Sequence, residues 1–416
     1  MADKDKMSVY EWEYTDSFER ISSQRRHLPE LRYFIDTHSY WAGGKTRHKP
    51  QAVILGTGIP EELVYAAGAV PYWLTGGSLA TTAWSDELVP RDTDPVSRSI
   101  LGYIQQPGGA DYSDSLFIIP LVSDSMRKIA YLLKEQGRKL CLVDIPAQRQ
   151  GESSERFFQR QMLEMSATVS AHTGTRITKQ SVVSAAMLVS KARNALKVFL
   201  DISRDRTDII FPAARLMVQD SYYRTFDLDG WTYHVQALTA RVCALSRQYA
   251  RVRSCPSVLL MGSPIVFPNY KIPFLIGDVG LDLTDCVDST ALKRYLCHSG
   301  KTLRGSRDRI IRNIASAWHQ ADGSSAFVSN DTLYRYISWL VQSRSIEGVV
   351  YHVLKGQIEH DFELPRFEEL FARLGIPVFR LETDYQYQDL EQLRIRLEAF
   401  SEMLTQNRYK EVRKAK

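Results

Sequence analysis

The sequence predicts an α/β protein with two doubly wound parallel sheets separated by a helical region. Three observations lead there. Short apolar runs end in glycine or another turn residue, an amphipathic stretch follows most of them, and from about Ser153 to Arg253 there is almost no strand signal. Strands that alternate with helices pair in parallel, because the crossover helix returns the chain to the same end of the sheet.

In chain order, residues 1–50 are expected to form an N-terminal helical segment. QAVILGTG (51–58) reads as a buried strand, and IPEELVYAAG as the helix after it, with Pro60 in the first turn, Glu61 and Glu62 near its positive end, and Gly68 as its stop. AVPYWLTGG (69–77) and SLFIIPLVSD (115–124) read as strands. SDSMRKIAYLLKEQG (123–137) is a helix capped by Ser123 or Asp124 and ended by Gly137, and KLCLVDIP (139–146) is the fourth strand. The middle is helical, and the basic residues of SVVSAAMLVSKARNALKVFLDISRDR (181–206), Lys191, Arg193 and Lys197, are expected on a solvated face.

The opening plan then repeats. CPSVLLMGSPIV (255–266) is a strand, NYKIPFLIGDVG (269–280) a helix and LDLTDC (281–286) a strand. GVVYHVLK (348–355), the helix PRFEELFARLG (365–375) and the strand IPVFRLETD (376–384) follow. A last helix begins at Leu390, with Asp389 and Gln392 as a capping box and Leu390, Leu393, Leu397, Phe400 and Leu404 along its core face. The expected domains are 51–152, a linking region 153–254, and 255–416.

Composition sets the class. With 44% hydrophobic and 24% charged residues among 416, the chain has side chains enough for two or more cored domains. The charged opening MADKDKMSVYEWEYTDSFER lacks the apolar core of a signal peptide, and no apolar run reaches the ~18 residues that span a bilayer, so a cytoplasmic location without membrane association is expected. The five cysteines are dispersed without a CxxC pair, which suggests neither a disulfide framework nor a zinc knuckle. A net charge of +5 suits an anionic ligand, but acids interleave with the bases and no nucleic-acid-binding module is present.

Open parallel sheets bind ligands outside the carboxyl ends of their strands. The residues to watch are therefore Gly56 to Pro60, Ser123 and Asp124, Gly262 to Pro264, and His352 to Glu359. GTG and GSP are neither a GxGxxG turn nor a Walker loop, and His352, Glu359, His360 and Asp361 lack HExxH spacing, so no metal is expected there. The catalytic candidates are Asp124, His352, Lys355, Glu382 and Asp384, all near strand ends. His352 alone among them has an ordinary pKa near neutrality.

GTGIPEELVYAAGAVPYWLTGG, PRDTDPVSRSILGYI, FIIPLVSDSMRKI, LLMGSPI, GVVYHVLKGQIEHDFE and GIPVFRLETDYQYQDLEQLRIRLEAFSEML occur in order between about 51 and 404. Together they resemble the 2-hydroxyacyl-CoA dehydratase and benzoyl-CoA reductase subunit family. That resemblance implies two Rossmann-like domains joined by helices and a heterodimer of paralogous subunits acting on an acyl-CoA thioester. It also implies a [4Fe-4S] cluster and a separate ATP-dependent iron–sulfur activator that delivers one low-potential electron.

The resemblance further implies three cysteine ligands to that cluster, thiolate being the natural donor to iron in a sulfide cluster. At the matching positions this sequence has Asp94, Ser123 and Gly356; a gap would move the first toward Glu87. None is a thiol. Cys141, Cys255 and Cys243 fall in or beside core elements, and Cys286 at a strand end. The expectation is a chain without a cofactor of its own, the cluster-free subunit of a heterodimer acting on a CoA thioester. The alternative is a redox-independent protein on the same scaffold that binds, or hydrolyses, an acyl-CoA or another anionic small molecule.

Overall fold

The computed structural model describes residues 9–23, 28–42, 49–148, 150–250, 255–288, 303–321 and 327–415. Two helices, α1 (Val9–Ser22) and α2 (Leu31–Ala42), precede the first sheet. That sheet is formed by β1 (Ala52–Leu55), β2 (Pro71–Leu74), β3 (Leu116–Pro120) and β4 (Lys139–Val143). Between its strands lie α3 (Glu62–Ala66), α4 (Leu79–Thr82), α5 (Pro95–Gln105) and α6 (Asp124–Glu135). Four helices follow without a strand: α7 (Glu152–Thr173), α8 (Lys179–Ser203), α9 (Pro212–Ser221) and α10 (Leu228–Gln248). The second sheet comprises β5 (Ser257–Gly262), β6 (Asp282–Asp288), β7 (Gly348–Leu354) and β8 (Val378–Thr383). It carries α11 (Lys271–Asp278), α12 (Arg307–Ala321), α13 (Asp331–Arg344), α14 (Ile358–Arg373) and α15 (Leu390–Ala415).

Both sheets are wholly parallel and have the same strand order, β2-β1-β3-β4 and β6-β5-β7-β8. The architecture is thus α/β with two Rossmann-like doubly wound sheets. In each, the chain reverses direction across the sheet beside its first strand, and the switch points lie at the carboxyl ends of β1/β3 and β5/β7, where open sheets bind ligands.

β1 and β7 are buried along their whole length, as expected of strands covered on both faces. Ile54 and Leu260, one face of each sheet, share a continuous core with Phe199 of α8 and Leu397 of α15. The opposite face of the first sheet packs Val53 and Leu55 on Ile100 and Ile129, and that of the second packs Val349 and Tyr351 on Phe367 and Phe371.

Two expectations are corrected. The helix placed at 365–375 begins at Ile358, with Pro365 inside it, so Glu359, His360 and Asp361 lie on its first turns rather than along a strand or loop. Arg193 is not solvated. It is 5% exposed and lies 3.0 Å from Glu61 and 3.1 Å from Glu62, both also buried, while Lys191 and Lys197 stay on the surface paired with Asp229 and Asp201. Glu61 and Glu62 do stand at the start of α3, within a buried ion cluster joined by Tyr222 Oη, which donates to Glu61 at 2.6 Å. Asp389 precedes α15, its carbonyl accepting from Leu393 N at 3.0 Å, and its carboxylate faces Lys271 Nζ at 3.3 Å.

Candidate functional site

The carboxyl ends of the two sheets meet at a seam made possible by glycine. Gly77, after β2, has φ +101, and a Cβ there would lie 2.5 Å from the Phe267 carbonyl oxygen beyond β5. Asn269 N donates to Gly77 O at 3.2 Å, which ties the two loops together. Leu354 and Tyr385, at the ends of β7 and β8, pack in one cluster with Val96, Ile100 and Tyr103 of α5. Asn269 Nδ2 holds the Tyr385 carbonyl at 3.1 Å. Second-sheet residues thus complete the core above the first sheet.

Within this seam Asp94 and Gly356 are neighbours. Asp94 precedes α5 as its N-cap, accepting from Ser97 N at 3.0 Å, a role that suits a carboxylate at the positive end of a helix. Gly356 has φ +86, and a Cβ on it would lie 2.9 Å from Asp92 O and 3.1 Å from Asp94 Cα. Gln357 Nε2 approaches Asp94 Oδ1 at 3.4 Å, and the Gln357 Oε1 has no hydrogen-bond partner among the described residues. Ser123 caps α6, its hydroxyl accepting from Met126 N at 3.2 Å. Burial raises the pKa of Glu359, and the nearby charges of Asp94 and Asp124 push it the same way.

These residues do not fit an iron–sulfur cluster. The donors are a carboxylate and a hydroxyl, each already capping a helix, and the third position has neither a side chain nor room for one. The described cysteines are elsewhere. Cys141 and Cys286 are buried with thiols pushed upward by burial, Cys141 to about 11, and Cys243 and Cys255 are partly exposed; Cys297 lies outside the described residues. Among the described residues no three His, Cys, Asp or Glu side chains are grouped to hold a metal ion.

The catalytic candidates divide. Asp124 is exposed on the first turn of α6. Lys355 and Asp384 pair at 3.3 Å at the adjoining ends of β7 and β8, and Glu382 pairs with Arg380 at 2.9 Å on the open surface. His352 is 2% exposed, its Nε2 lies 2.7 Å from Thr383 Oγ1, and burial lowers its pKa to about 3. A ring held neutral at all physiological pH is not poised to exchange protons there. His360 is likewise depressed, to about 4, by burial.

Two seam residues were not legible as such. Lys271 is buried, with Nζ on the Gln386 carbonyl and the Asp389 carboxylate, and burial lowers its pKa. Glu13 of α1 accepts from Ser78 Oγ at 2.8 Å, Leu79 N at 3.0 Å and Ala80 N at 3.3 Å, and from Tyr387 Oη at 3.3 Å. Lys271 carried one signal, a lone charge opening the apolar KIPFLI, whereas Glu13, one of two glutamates in YEWEY, carried none.

The chain is similar in sequence to several known dehydratase subunits. The chain is 24% identical over 369 residues, 86% of its own length and 93% of the other's, to the Escherichia coli protein named "Putative dehydratase subunit YjiM". It is 21% identical to the (R)-phenyllactyl-CoA dehydratase beta subunit of Clostridium sporogenes, covering 83% of this chain and 89% of that one. It is 20% identical to the (R)-2-hydroxyglutaryl-CoA dehydratase subunit beta of Acidaminococcus fermentans, covering 83% and 90%. No helix among the described residues is long and apolar enough to cross a membrane. The family model for the 2-hydroxyglutaryl-CoA dehydratase D-component matches residues 57–404, from the turn after β1 to the body of α15, and the chain belongs to that family.

Proposed function

We propose that this chain is the cluster-free subunit of a two-subunit dehydratase or reductase acting on a CoA thioester, with the cluster and the redox step on a paralogous partner. The observation that carries this reading is the closed contact between Gly356 and Asp94, which leaves no volume for a ligand side chain where the resemblance puts one. Family membership and relatives named as beta subunits of CoA thioester dehydratases support the substrate class and the partner. The residues of this chain contribute a rigid seam: the caps of α5 and α6 fix the helix starts, and the Gly77 and Gly356 contacts hold the two sheets together.

The test is anoxic co-expression with a paralogue bearing three cysteines at the corresponding positions and with an activator ATPase. Iron and sulfide analysis of the separated subunits follows. Iron on the partner alone, with thioester dehydration or reduction by the reconstituted pair, is the expected result. About four irons retained on this chain after gel filtration would refute it. Tight binding of an acyl-CoA by this chain alone, with no partner, would favour the redox-independent reading.

A further inference from the structure

Beside the seam, α1, α11 and the start of α15 wall a cavity of about 200 Å³. One water needs only ~10–15 Å³, so the space is that of a small organic molecule. Two of the charged groups around it have their partners already. Glu13 is occupied by its four donors, and Lys271 by the Gln386 carbonyl and the Asp389 carboxylate.

The others are not complete. Asp16 is half-buried on the cavity wall and forms no ion pair or hydrogen bond with the described residues. Arg20 and Arg394 share one carboxylate: Asp278 lies 2.7 Å from Arg20 and 3.6 Å from Arg394, whose other acid, the exposed Glu391, is 3.8 Å away. Arg20 is held off Asp16 by its stacking on Phe274, 4.0 Å from the ring centre. Yet Asp16 and Arg20 are one turn apart on α1, so an unpaired acid and an underused guanidinium stand ~5–6 Å from each other, Cβ to Cβ, on one face. A metal ion would find a single free carboxylate among arginines, and a phosphate would meet the charge of Asp16. A molecule with a carboxylate and an ammonium on neighbouring atoms satisfies both groups: its carboxylate accepts from the guanidinium fork and its ammonium donates to Asp16. Leu275 and Leu390 leave an apolar stretch of wall for the rest of it.

We propose that this cavity binds a small zwitterion of the α-amino acid class, with its carboxylate on Arg20 and Arg394 and its ammonium on Asp16. A molecule bound there touches α1, α11 and α15 at once, and so fastens the N-terminal helix to the helices of the second sheet. The site is separate from the thioester and the paralogue of the two-subunit reading, and its test needs neither.

The experiment measures binding to the full chain by titration calorimetry and by the shift of its melting temperature. The probes are glycine, L-alanine, L-leucine and L-glutamate, each with its deaminated and its decarboxylated counterpart. The proteins are wild type, Asp16→Asn and Arg394→Gln; Asp16 has no partner to lose, so Asp16→Asn should melt as wild type does, and Arg394→Gln tests the carboxylate arm independently. The expected result is that at least one amino acid binds wild type and raises its melting temperature. Its deaminated and decarboxylated counterparts, and both variants with the intact amino acid, should bind at least ~10-fold more weakly. Absence of binding by every amino acid of the set up to about 10 mM overturns the proposal. Equal binding of a deaminated or decarboxylated counterpart overturns the zwitterion, and undiminished binding by both variants overturns the cavity as its place.

Discussion

Gly356 is packed on the backbone of Asp94, 262 positions earlier in the chain, so closely that the smallest side chain would collide with it: a Cβ on Gly356 would lie 3.1 Å from both Asp94 N and Asp94 Cα. Two residues from different sheets therefore share one seam, and a positive φ at Gly356 adds backbone strain to any substitution.

Replacing Gly356 should accordingly damage the seam. Gly356→Ala is expected to destabilise by about 1–3 kcal/mol through the left-handed backbone and the contact with Asp92 O, and Gly356→Cys by at least as much. The midpoint of urea unfolding measures this; an unchanged midpoint for Gly356→Ala would show the contact to be loose.

Asp94 acts as a helix cap. Asp94→Ala should cost about 0.5–2 kcal/mol and Asp94→Asn or Asp94→Ser much less, since these still accept from Ser97 N. Hydrogen exchange at the start of α5 should rise in Asp94→Ala alone. Equal effects of alanine and asparagine would count against capping.

Arg193 is the cation between two buried carboxylates. Arg193→Met leaves Glu61 and Glu62 buried without it, and a loss of about 3–5 kcal/mol is expected. Burial already raises the Glu62 pKa. A carboxyl whose folded-state pKa is raised stabilises while protonated and loses that contribution as pH rises through it, so the variant should recover stability as the solution is acidified. Melting temperatures at two pH values test the sign.

Asp220 offers a second pH signature. Its Oδ2 accepts from Phe267 N at 2.9 Å and Tyr270 Oη at 2.6 Å, and burial lifts its pKa from 3.8 to about 7. The folded chain thus keeps a proton that the unfolded chain releases between those values, so this group's contribution is full below pH 3.8 and declines as pH approaches 7. Asp220→Asn removes the titration, and relative to it the wild type should lose stability from about pH 4.5 to about pH 7, on the order of a few kcal/mol. Parallel stability profiles for the two proteins would refute the assignment.

The alternation of strands and helices was readable because each local signal was strong: β1, β3, β5 and β7 are short apolar runs, and Ser123 caps α6 as its residue type suggests. The failures share a cause. Periodicity shows that a helix has a covered face but not what covers a charge on it, so Arg193, with its partners about 130 residues earlier, read as solvated. The polar first turns of α14 read as a loop because Pro365 looks like a helix start, although it lies inside the helix, seven residues after Ile358. At the site, the absence of thiols was visible at once. The contact of Gly356 with Asp94 was not, because closeness between residues so distant in sequence is a property of the assembled sheets.

Glu13 carries a consequence for synthesis. Its carboxylate leaves the ribosome early, its donors on Ser78, Leu79 and Ala80 follow, and the phenol of Tyr387 comes 374 residues later. Leu354 and Tyr385, which finish the core over α5, also arrive near the end. The part of the first sheet's core that Leu354 and Tyr385 cover therefore stays open until almost the whole polypeptide exists, and that nascent edge over α5 is a stretch in need of shielding from aggregation while translation runs.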